Sequence, residues 1–381
     1  LKHKEYFSTK GNSFNEILVV QSFRKVYKIH MLYSLFRSLA FNLDPETVHD
    51  LSINSFNKMP QLAKLFNGAT PGEKYAINDG HMKWKFPIGL AAGFDKNARA
   101  IEFMQELGFG ALEIGTITPK AQIGNPRPRI QRLKKENSLL NAMGFPNMGS
   151  DEILNNLKKS HKNSDIIIGS NLGKNKDTPD HKAPEDYASL YETFAPHSDY
   201  LVINISSPNT PGLRALQSRD GFKAICEAID EKRKVQKKPL YLKIAPELAD
   251  SDLKDLIDIC KEYELSGIIA TNTSIQHNYG KGGLSGDIIR KESRATRERV
   301  LKALKETPEL SCIGVGGINS FQDLKEFWAL GGSFAQIYTS FIYHGPQLLT
   351  QIQSELDKEL AKYQVKNLRE YIQMLQSNGA S

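Results

Sequence analysis

The sequence predicts an α/β fold: a (β/α)8 TIM barrel preceded by a small α-helical unit. Three observations carry that prediction. From residue 87 onward, eight short apolar runs recur, each closing in or near Gly, Asn, Ser or Thr. These runs lack the apolar–polar alternation of a half-solvated sheet, so they read as parallel strands buried on both faces. Helical patterns separate them, and no G-x-G-x-x-G turn follows the first run, which argues against a doubly wound sheet.

Composition narrows the class. A chain of 381 residues with 40% hydrophobic residues and only 3 Cys is neither collagenous, disulfide-stapled nor disordered. Cys226, Cys260 and Cys312 form no C-x-x-C pair and are odd in number, so they are expected to be reduced and packed. The histidines include no H-E-x-x-H pair or zinc-type spacing, and no metal is expected.

The elements follow in chain order. The formal charge is +7, and positions 1–40 hold seven Lys or Arg against two Glu. Residues 1–30 are read as a basic extension and 31–70 as an amphipathic helical pair. Within the pair, Leu32, Leu35, Phe36, Leu39 and Leu43 repeat at three and four, with Ser34, Arg37, Ser38 and Asn42 opposite. Basic charge beside such a stripe suits an anionic lipid surface, whereas a nucleic-acid binder spreads its charge over the binding face. The competing reading packs the pair on its own domain. Asp44-Pro45-Glu46 starts a second helix, with Asp at the N-cap and Pro at the first helical position. Its apolar face is read as Val48, Leu51 and Phe56, and Pro60 ends it.

Residues 71–86 are a connector, 87–362 the barrel, and 363–381 a C-terminal tail. The barrel strands are predicted at 87–92, 111–115, 166–170, 200–205, 239–244, 267–270, 312–315 and 334–338. Helices are predicted at 97–107, 251–263, 320–330 and 347–360. The stretch between the second and third strands contains Asn125-Pro-Arg-Pro-Arg129 and residues 141–145, and is too long for a plain connection.

Barrel sites sit at the C-terminal strand ends. In order, those ends supply Ala92, Gly93 and Lys96; Gly115 and Thr116; Asn171; Asn204, Ser206, Ser207 and Asn209; Lys243; Thr271, Asn272 and Thr273; Gly316 and Gly317; and Tyr338, Thr339 and Ser340. Amides, hydroxyls, glycines and two lysines dominate, so paired-acid hydrolysis and a Mg or Zn site are disfavoured. Gly316-Gly317 and the Tyr338–Ser340 turn suit a phosphate group, with Gly286 closing over it. Asn141, Asn204, Asn209 and Asn272 offer donors and acceptors to a planar polar ligand. Lys243 lies in an apolar strand and needs an anionic partner. It fits either a Schiff base or the stabilisation of negative charge on a cofactor. Ser207 has no neighbouring His or Asp and no G-x-S-x-G elbow, so no hydrolase triad forms around it.

These segments resemble the dihydroorotate dehydrogenase family, in its membrane-associated, quinone-dependent class. The matching motifs are Leu90-Ala-Ala-Gly-Phe-Asp-Lys96, Glu113-Ile-Gly-Thr-Ile-Thr-Pro119, Gly124-Asn-Pro-Arg-Pro-Arg129, residues 204–213, Ile269-Ala-Thr-Asn-Thr273, residues 282–286 and Ile313-Gly-Val-Gly-Gly-Ile318. They run in the family's order across residues 31–360.

The resemblance implies oxidation of (S)-dihydroorotate to orotate, with hydride transfer to FMN and re-oxidation by a membrane quinone, in de novo pyrimidine (UMP) biosynthesis. FMN is then held by Ala92, Gly93, Thr116, Asn171, Asn204, Lys243, Thr271, Gly286, Gly317, Tyr338 and Thr339. Dihydroorotate is held by Lys96, Asn141, Ala142, Met143, Gly144, Phe145, Asn204, Asn209, Asn272 and Thr273. Ser207 stands where this class places its base and the soluble class has Cys. His49, Arg132 and Tyr338 line a quinone tunnel built on the helical pair. Two departures stand out: Ala142 where the family usually has Arg, and Pro146 where Asn is frequent. The expected partners are dihydroorotate and orotate, a quinone and anionic lipid, with no nucleic acid and a monomeric chain. The expected location is the cytoplasmic face of a bacterial inner membrane, with the mitochondrial inner membrane as the alternative. A tRNA dihydrouridine synthase would also use FMN but needs a Cys on these loops. A non-catalytic phosphate-ligand protein would not need Lys96, Ser207 and Lys243 together.

Overall fold

Eight parallel strands close into a barrel: β1 (Ile88–Leu90), β2 (Ala111–Ile117), β3 (Ile167–Leu172), β4 (Tyr200–Asn204), β5 (Leu240–Ile244), β6 (Gly267–Ala270), β7 (Ser311–Val315) and β8 (Ala335–Ile337). The structure is a computed structural model that describes residues 33–66, 68–160 and 165–378. The basic extension 1–30 and Leu32 lie outside the described residues. Neighbours in the barrel are neighbours in sequence, and β5 closes the ring against β6 through pairs such as Tyr241 with Gly267. Every residue of β2, β4 and β5 is buried, the physical basis of their unbroken apolar runs. All eight predicted strands are present. Outer helices begin on side-chain caps where the sequence supplies them, as at Ser218 before Arg219–Arg233 and Ser320 before Phe321–Ala329.

The N-terminal end of the barrel is sealed. The connector 71–86 folds a hairpin, Ile77–Asn78 with Lys83–Trp84, and the buried Trp84 stacks on Phe334 at 4.2 Å. Asp79 Oδ2 accepts from Tyr241 Oη at 2.8 Å and Ser311 Oγ at 2.7 Å, clamping the hairpin to β5 and β7. Ligand access is left to the opposite end. There the long β2–β3 connection forms a second hairpin, Ile130–Leu133 with Ser138–Asn141. Strand Gly283–Gly286 joins it in a three-stranded antiparallel sheet beside the mouth.

The segment read as a tail contains a helix, Leu368–Asn378. Its Leu368 and Tyr371 are fully buried, and Gln376 Nε2 donates to the Trp328 carbonyl at 3.0 Å. Leu368, Tyr371, Ile372 and Leu375 carry the three-and-four spacing, so the signal was in the sequence.

Among the described residues two α-helices precede the barrel: α1 over 33–40 and α2, Pro45–Lys58, whose N-cap Asp44 Oδ1 accepts from Thr47 N at 2.8 Å. α1 docks through its polar and aromatic side. Tyr33 Oη donates to the Ile342 carbonyl at 2.6 Å, Arg37 donates to the Tyr343 carbonyl, and Phe41 meets Tyr343 edge-on at 5.3 Å. The predicted apolar stripe therefore faces outward: Leu35, Phe36, Leu39 and Leu43 are 63%, 49%, 65% and 59% exposed. The helical pair does pack on the chain's own barrel, α1 through Tyr33 and Arg37 and α2 through Phe56, and it is the stripe that is left exposed.

Of the face expected on α2, Phe56 packs inward and Leu51 is turned outward. Glu46 and Ile53 are buried and Phe56 stacks on Phe103 at 3.8 Å, while Leu51 is 59% exposed. The cause is an ion pair. Buried Arg129 holds Glu46 through Nη2–Oε1 at 2.6 Å and Nε–Oε2 at 3.1 Å, and Arg127 Nη2 joins at 3.0 Å. Desolvation, the largest single influence, pushes the Glu46 carboxyl up, but the bonds and charge of Arg129 together with the charges of Arg127 and Lys96 hold it below its ordinary value of 4.5. A depressed folded value stabilises docking fully above pH 4.5, and that stability is lost as pH falls through the folded value. Hydrogen exchange should therefore show α2 amides losing protection on acidification before the barrel strands do. Glu46→Leu should remove that pH dependence and weaken docking by about 3 kcal/mol, the cost of an unpaired buried arginine.

Candidate active site

The floor of the mouth is a charge-balanced cluster. Lys243 on β5 reaches Glu113 on β2, Nζ–Oε1 3.0 Å, with both side chains buried. The same carboxylate accepts from Asn171 Nδ2 at 2.7 Å and Gln336 Nε2 at 2.6 Å, and Gln336 Nε2 also donates to Tyr200 Oη at 3.1 Å. Both Glu113 oxygens are thus occupied, which makes a carboxylate in an apolar barrel tolerable. Glu113 is the anionic partner that Lys243 requires. Gln336 lines the cavity, and its Oε1 is buried with no partner among the described residues.

Above the floor the hydroxyls and amides form a closed layer. Thr116 Oγ1 donates to Asn171 Oδ1 at 2.6 Å, and Asn204 Nδ2 donates to both Asn171 Oδ1 and Thr116 Oγ1 at 2.9 and 3.0 Å. The remaining asparagines also pair. Asn272 Nδ2 donates to Ser206 Oγ at 3.0 Å, and Asn209 Nδ2 to Asn141 Oδ1 at 3.1 Å. Asn209 joins the β4 loop to the strand Ser138–Asn141 of the lid sheet. Its own N–H donates to Ser207 Oγ at 3.3 Å, holding that hydroxyl at the cavity wall. Thr210 Oγ1, three residues on, is buried without a partner among the described residues.

Lys96 owes its place to its neighbour. The buried Asp95 carboxylate accepts from the main-chain N–H groups of Asn97, Arg99 and Ala100, at 3.3, 2.9 and 2.7 Å. That bends the β1 loop so that Lys96 faces the cavity. Lys96 Nζ lies 3.2 Å from His49 Nε2 on α2. Desolvation, opposed by Asp50, Glu46 and Asp95, pushes the Lys96 ammonium down to about 8. The His49 ring meets Phe94 edge-on at 5.3 Å, and Tyr338 meets the same Phe94 at 5.8 Å. Burial and the Lys96 charge drive His49 well below its ordinary value, so its ring is neutral. Arg132 belongs to another cluster: it lies over the Phe41 ring at 4.7 Å and donates to the Leu43 carbonyl at 2.7 Å.

One end of the cavity is formed by Gly286, Gly316, Gly317, Tyr338, Thr339 and Ser340. Ser285 Oγ and Thr339 Oγ1 are 2.8 Å apart, tying the lid sheet to the turn after β8. Gly317 has φ +66°, and a Cβ there would approach Arg290 Cα to 2.4 Å, so no larger residue fits this turn. The donor set suits a flavin mononucleotide. A glycine cradle stands at one end for phosphate, and amides, a lysine and an unpartnered carbonyl oxygen stand at the floor for a polar ring edge.

The sequence model of the family described as dihydroorotate dehydrogenase matches residues 77–360. The chain belongs to the dihydroorotate dehydrogenase family. It is 40% identical over 344 residues to a dihydroorotate dehydrogenase (quinone) from Christiangramia forsetii, covering 86% of this chain and 98% of that relative. It is also 40% identical over 342 residues to the protein of that name from Baumannia cicadellinicola, covering 86% and 100%. A solved structure of DHODH from Eimeria tenella in complex with ferulenol superposes with a TM-score of 0.78 at 33% identity, over 87% of this chain and 97% of that one. Dihydroorotate dehydrogenases are flavin-dependent enzymes.

The cavity is lined by most of the residues expected from this family: Ala92, Gly93, Thr116, Asn204, Lys243, Thr271, Gly286, Gly317, Tyr338 and Thr339, and Lys96, Asn141, Met143, Gly144, Phe145, Ser207, Asn209, Asn272 and Thr273. Two do not line it. Asn171 lies beneath, acting through Thr116, Asn204 and Glu113. Ala142 is used by its backbone, its N–H bonding to the Arg129 carbonyl at 2.8 Å and its carbonyl accepting from Asn125 Nδ2 at 3.0 Å. Of the three expected tunnel residues, His49 and Tyr338 share Phe94, and Arg132 stands apart from them. Glu113, Gln336 and Phe94 are site residues that sequence reasoning did not single out. The three cysteines are buried and free, and burial raises all three thiols, so none is a poised nucleophile.

Proposed function

We propose that the cavity oxidises (S)-dihydroorotate to orotate and that a membrane quinone takes the electrons, as in the quinone-dependent relatives. The observation that carries this reading is the convergence of Ser207, four asparagines and Lys96 above the Lys243–Glu113 floor. The lining residues would hold FMN, which would supply the acceptor for a hydride and the store of electrons for the quinone. Ser207 Oγ removes the proton from carbon 5 of the substrate. Serine is a weak base, so as Ser207 takes the substrate proton its own proton passes through a water to solvent, and the Thr210 hydroxyl, buried with no partner among the described residues, can bond that water. Lys96 pairs with the substrate carboxylate, and Asn141, Asn204, Asn209 and Asn272 bond its ring amides, which fixes the reacting carbons. Lys243 keeps N–H donors beyond the one given to Glu113 and lowers the cost of negative charge developing at the floor.

The quinone approaches through the helical pair, past His49, Phe94 and Tyr338. The exposed stripe of Leu35, Phe36, Leu39 and Leu43 seats this opening on an anionic lipid surface. Among the described residues no helix is long and apolar enough to cross a membrane. Two measurements test the proposal. Flavin released from the purified protein should migrate as FMN, and dihydroorotate should bleach the bound flavin in the absence of oxygen. A colourless protein or an unbleached flavin overturns it. Leu35→Asp with Leu39→Asp should lower co-sedimentation with phosphatidylglycerol vesicles at least about tenfold, since each buried leucine contributes about 1.5–3 kcal/mol. Unchanged co-sedimentation removes the stripe as the lipid contact.

A further inference from the structure

We infer that His49, on the second N-terminal helix, is a positioning residue for the substrate's carboxylate, acting through Lys96. The inference rests on the dihydroorotate reading of the cavity.

The contact is direct, His49 Nε2 to Lys96 Nζ at 3.2 Å. An ammonium has donors and no acceptor, so Nε2 is the acceptor in this contact. The neutral ring then carries its single N–H on Nδ1. The charged groups around Lys96 are otherwise committed. Glu46 is held by Arg129, Asp50 lies 3.4 Å from Arg127, and Asp95 is saturated by three main-chain N–H groups. Arg129 adds a repulsive charge from the β2–β3 connection. Among the described residues, His49 is the hydrogen-bond partner of Lys96 Nζ.

A lysine side chain is long and loses much rotamer freedom when it is held in one place. The imidazole holds it before substrate arrives, and two N–H donors remain for a carboxylate. The neutrality of His49 matters, because an imidazolium would repel the ammonium it has to hold. α2 is thereby joined to the substrate pocket as well as to the tunnel. A change that moves α2 changes substrate affinity, and by linkage substrate changes the docking of α2.

The experiment is calorimetric titration of the purified, flavin-loaded protein with orotate between pH 6.5 and 9.5. Protonated Lys96 pairs with the carboxylate, so affinity is full below about 8 and falls as pH rises above it. Two substitutions separate the atoms of the ring. His49→Asn keeps a group at the Nδ1 position but falls short of Lys96. His49→Gln places an amide oxygen at the Nε2 position. His49→Asn should weaken orotate binding about tenfold and move the falling limb to lower pH, because losing an acceptor disfavours the ammonium. His49→Gln should recover most of both. Equal affinity and an unmoved limb in His49→Asn would overturn the inference. So would equal weakening in both variants with the limb in place, which is the pattern of lost packing alone. Failure of the unmodified protein to bind orotate at any pH is a different result and removes the functional reading itself.

Discussion

Turnover of dihydroorotate should fall about 10²–10⁴-fold in Ser207→Ala, the range for loss of a positioned proton acceptor. Flavin content and orotate affinity should stay near those of the unmodified protein. Ser207 follows β4 on a loop that Asn209 ties to Asn141, and its Oγ accepts the Asn209 N–H. Removing that oxygen loses the Asn209 N–H bond but leaves the Asn209–Asn141 side-chain bond in place. No imidazole or carboxylate stands at its side, so nothing else in the loop takes over the proton. Thr210→Val tests the onward step, since its hydroxyl is buried and unpartnered among the described residues. A smaller loss there, of about tenfold, fits a relay through a water that this hydroxyl bonds. Rapid-mixing measurement of flavin bleaching isolates the step from quinone chemistry. An unchanged bleaching rate in Ser207→Ala removes this residue as the base.

Glu113→Leu should lower the stability of the folded chain by about 3–5 kcal/mol, as expected when one member of a buried ion pair is removed. The substitution strands Lys243, removes the Glu113 acceptor of Asn171 Nδ2 and leaves Gln336 Nε2 with only its bond to Tyr200 Oη. The companion prediction separates charge from packing. Glu113→Leu with Lys243→Met should recover most of the stability, because the double variant leaves no uncompensated charge. It should not recover flavin bleaching, since Lys243 lies at the floor of the cavity. Denaturant unfolding of the two variants decides the matter. A single variant as stable as the parent would mean that Glu113 is not the counter-charge holding Lys243.

The barrel was legible because its signal is local. A strand buried on both faces needs an unbroken apolar run, and each of the eight runs is short and closes near a turn residue. The same locality made the mouth legible: residues just after a strand end line the cavity whichever side chains they carry. What remained hidden depends on contacts far apart in the chain. Lys243 announced its need for an anion, but Glu113 lies 130 residues earlier within an apolar run, where nothing marks which way it points. The face of α2 was misread for a related reason. Hydrophobic periodicity favoured Leu51, whereas a charge pair between Glu46 and Arg129, 83 residues apart, sets the rotation. The outward turn of the α1 stripe follows from Tyr33 and Arg37 bonding to carbonyls more than 300 residues away. The helix Leu368–Asn378 is different, since the three-and-four spacing of Leu368, Tyr371, Ile372 and Leu375 is itself local.

The most direct measurement is an anaerobic cycle on one sample of purified protein. Dihydroorotate is added in slight excess over bound flavin, and the reduced protein is then divided among a short-chain ubiquinone, NAD+ and fumarate. The site and the helical pair together predict that dihydroorotate bleaches the flavin band, with orotate formed in equal amount. They predict also that the quinone restores the band within the mixing experiment while NAD+ and fumarate leave it bleached. Re-oxidation by NAD+ or fumarate in preference to the quinone, or a flavin band that dihydroorotate leaves intact, would contradict it.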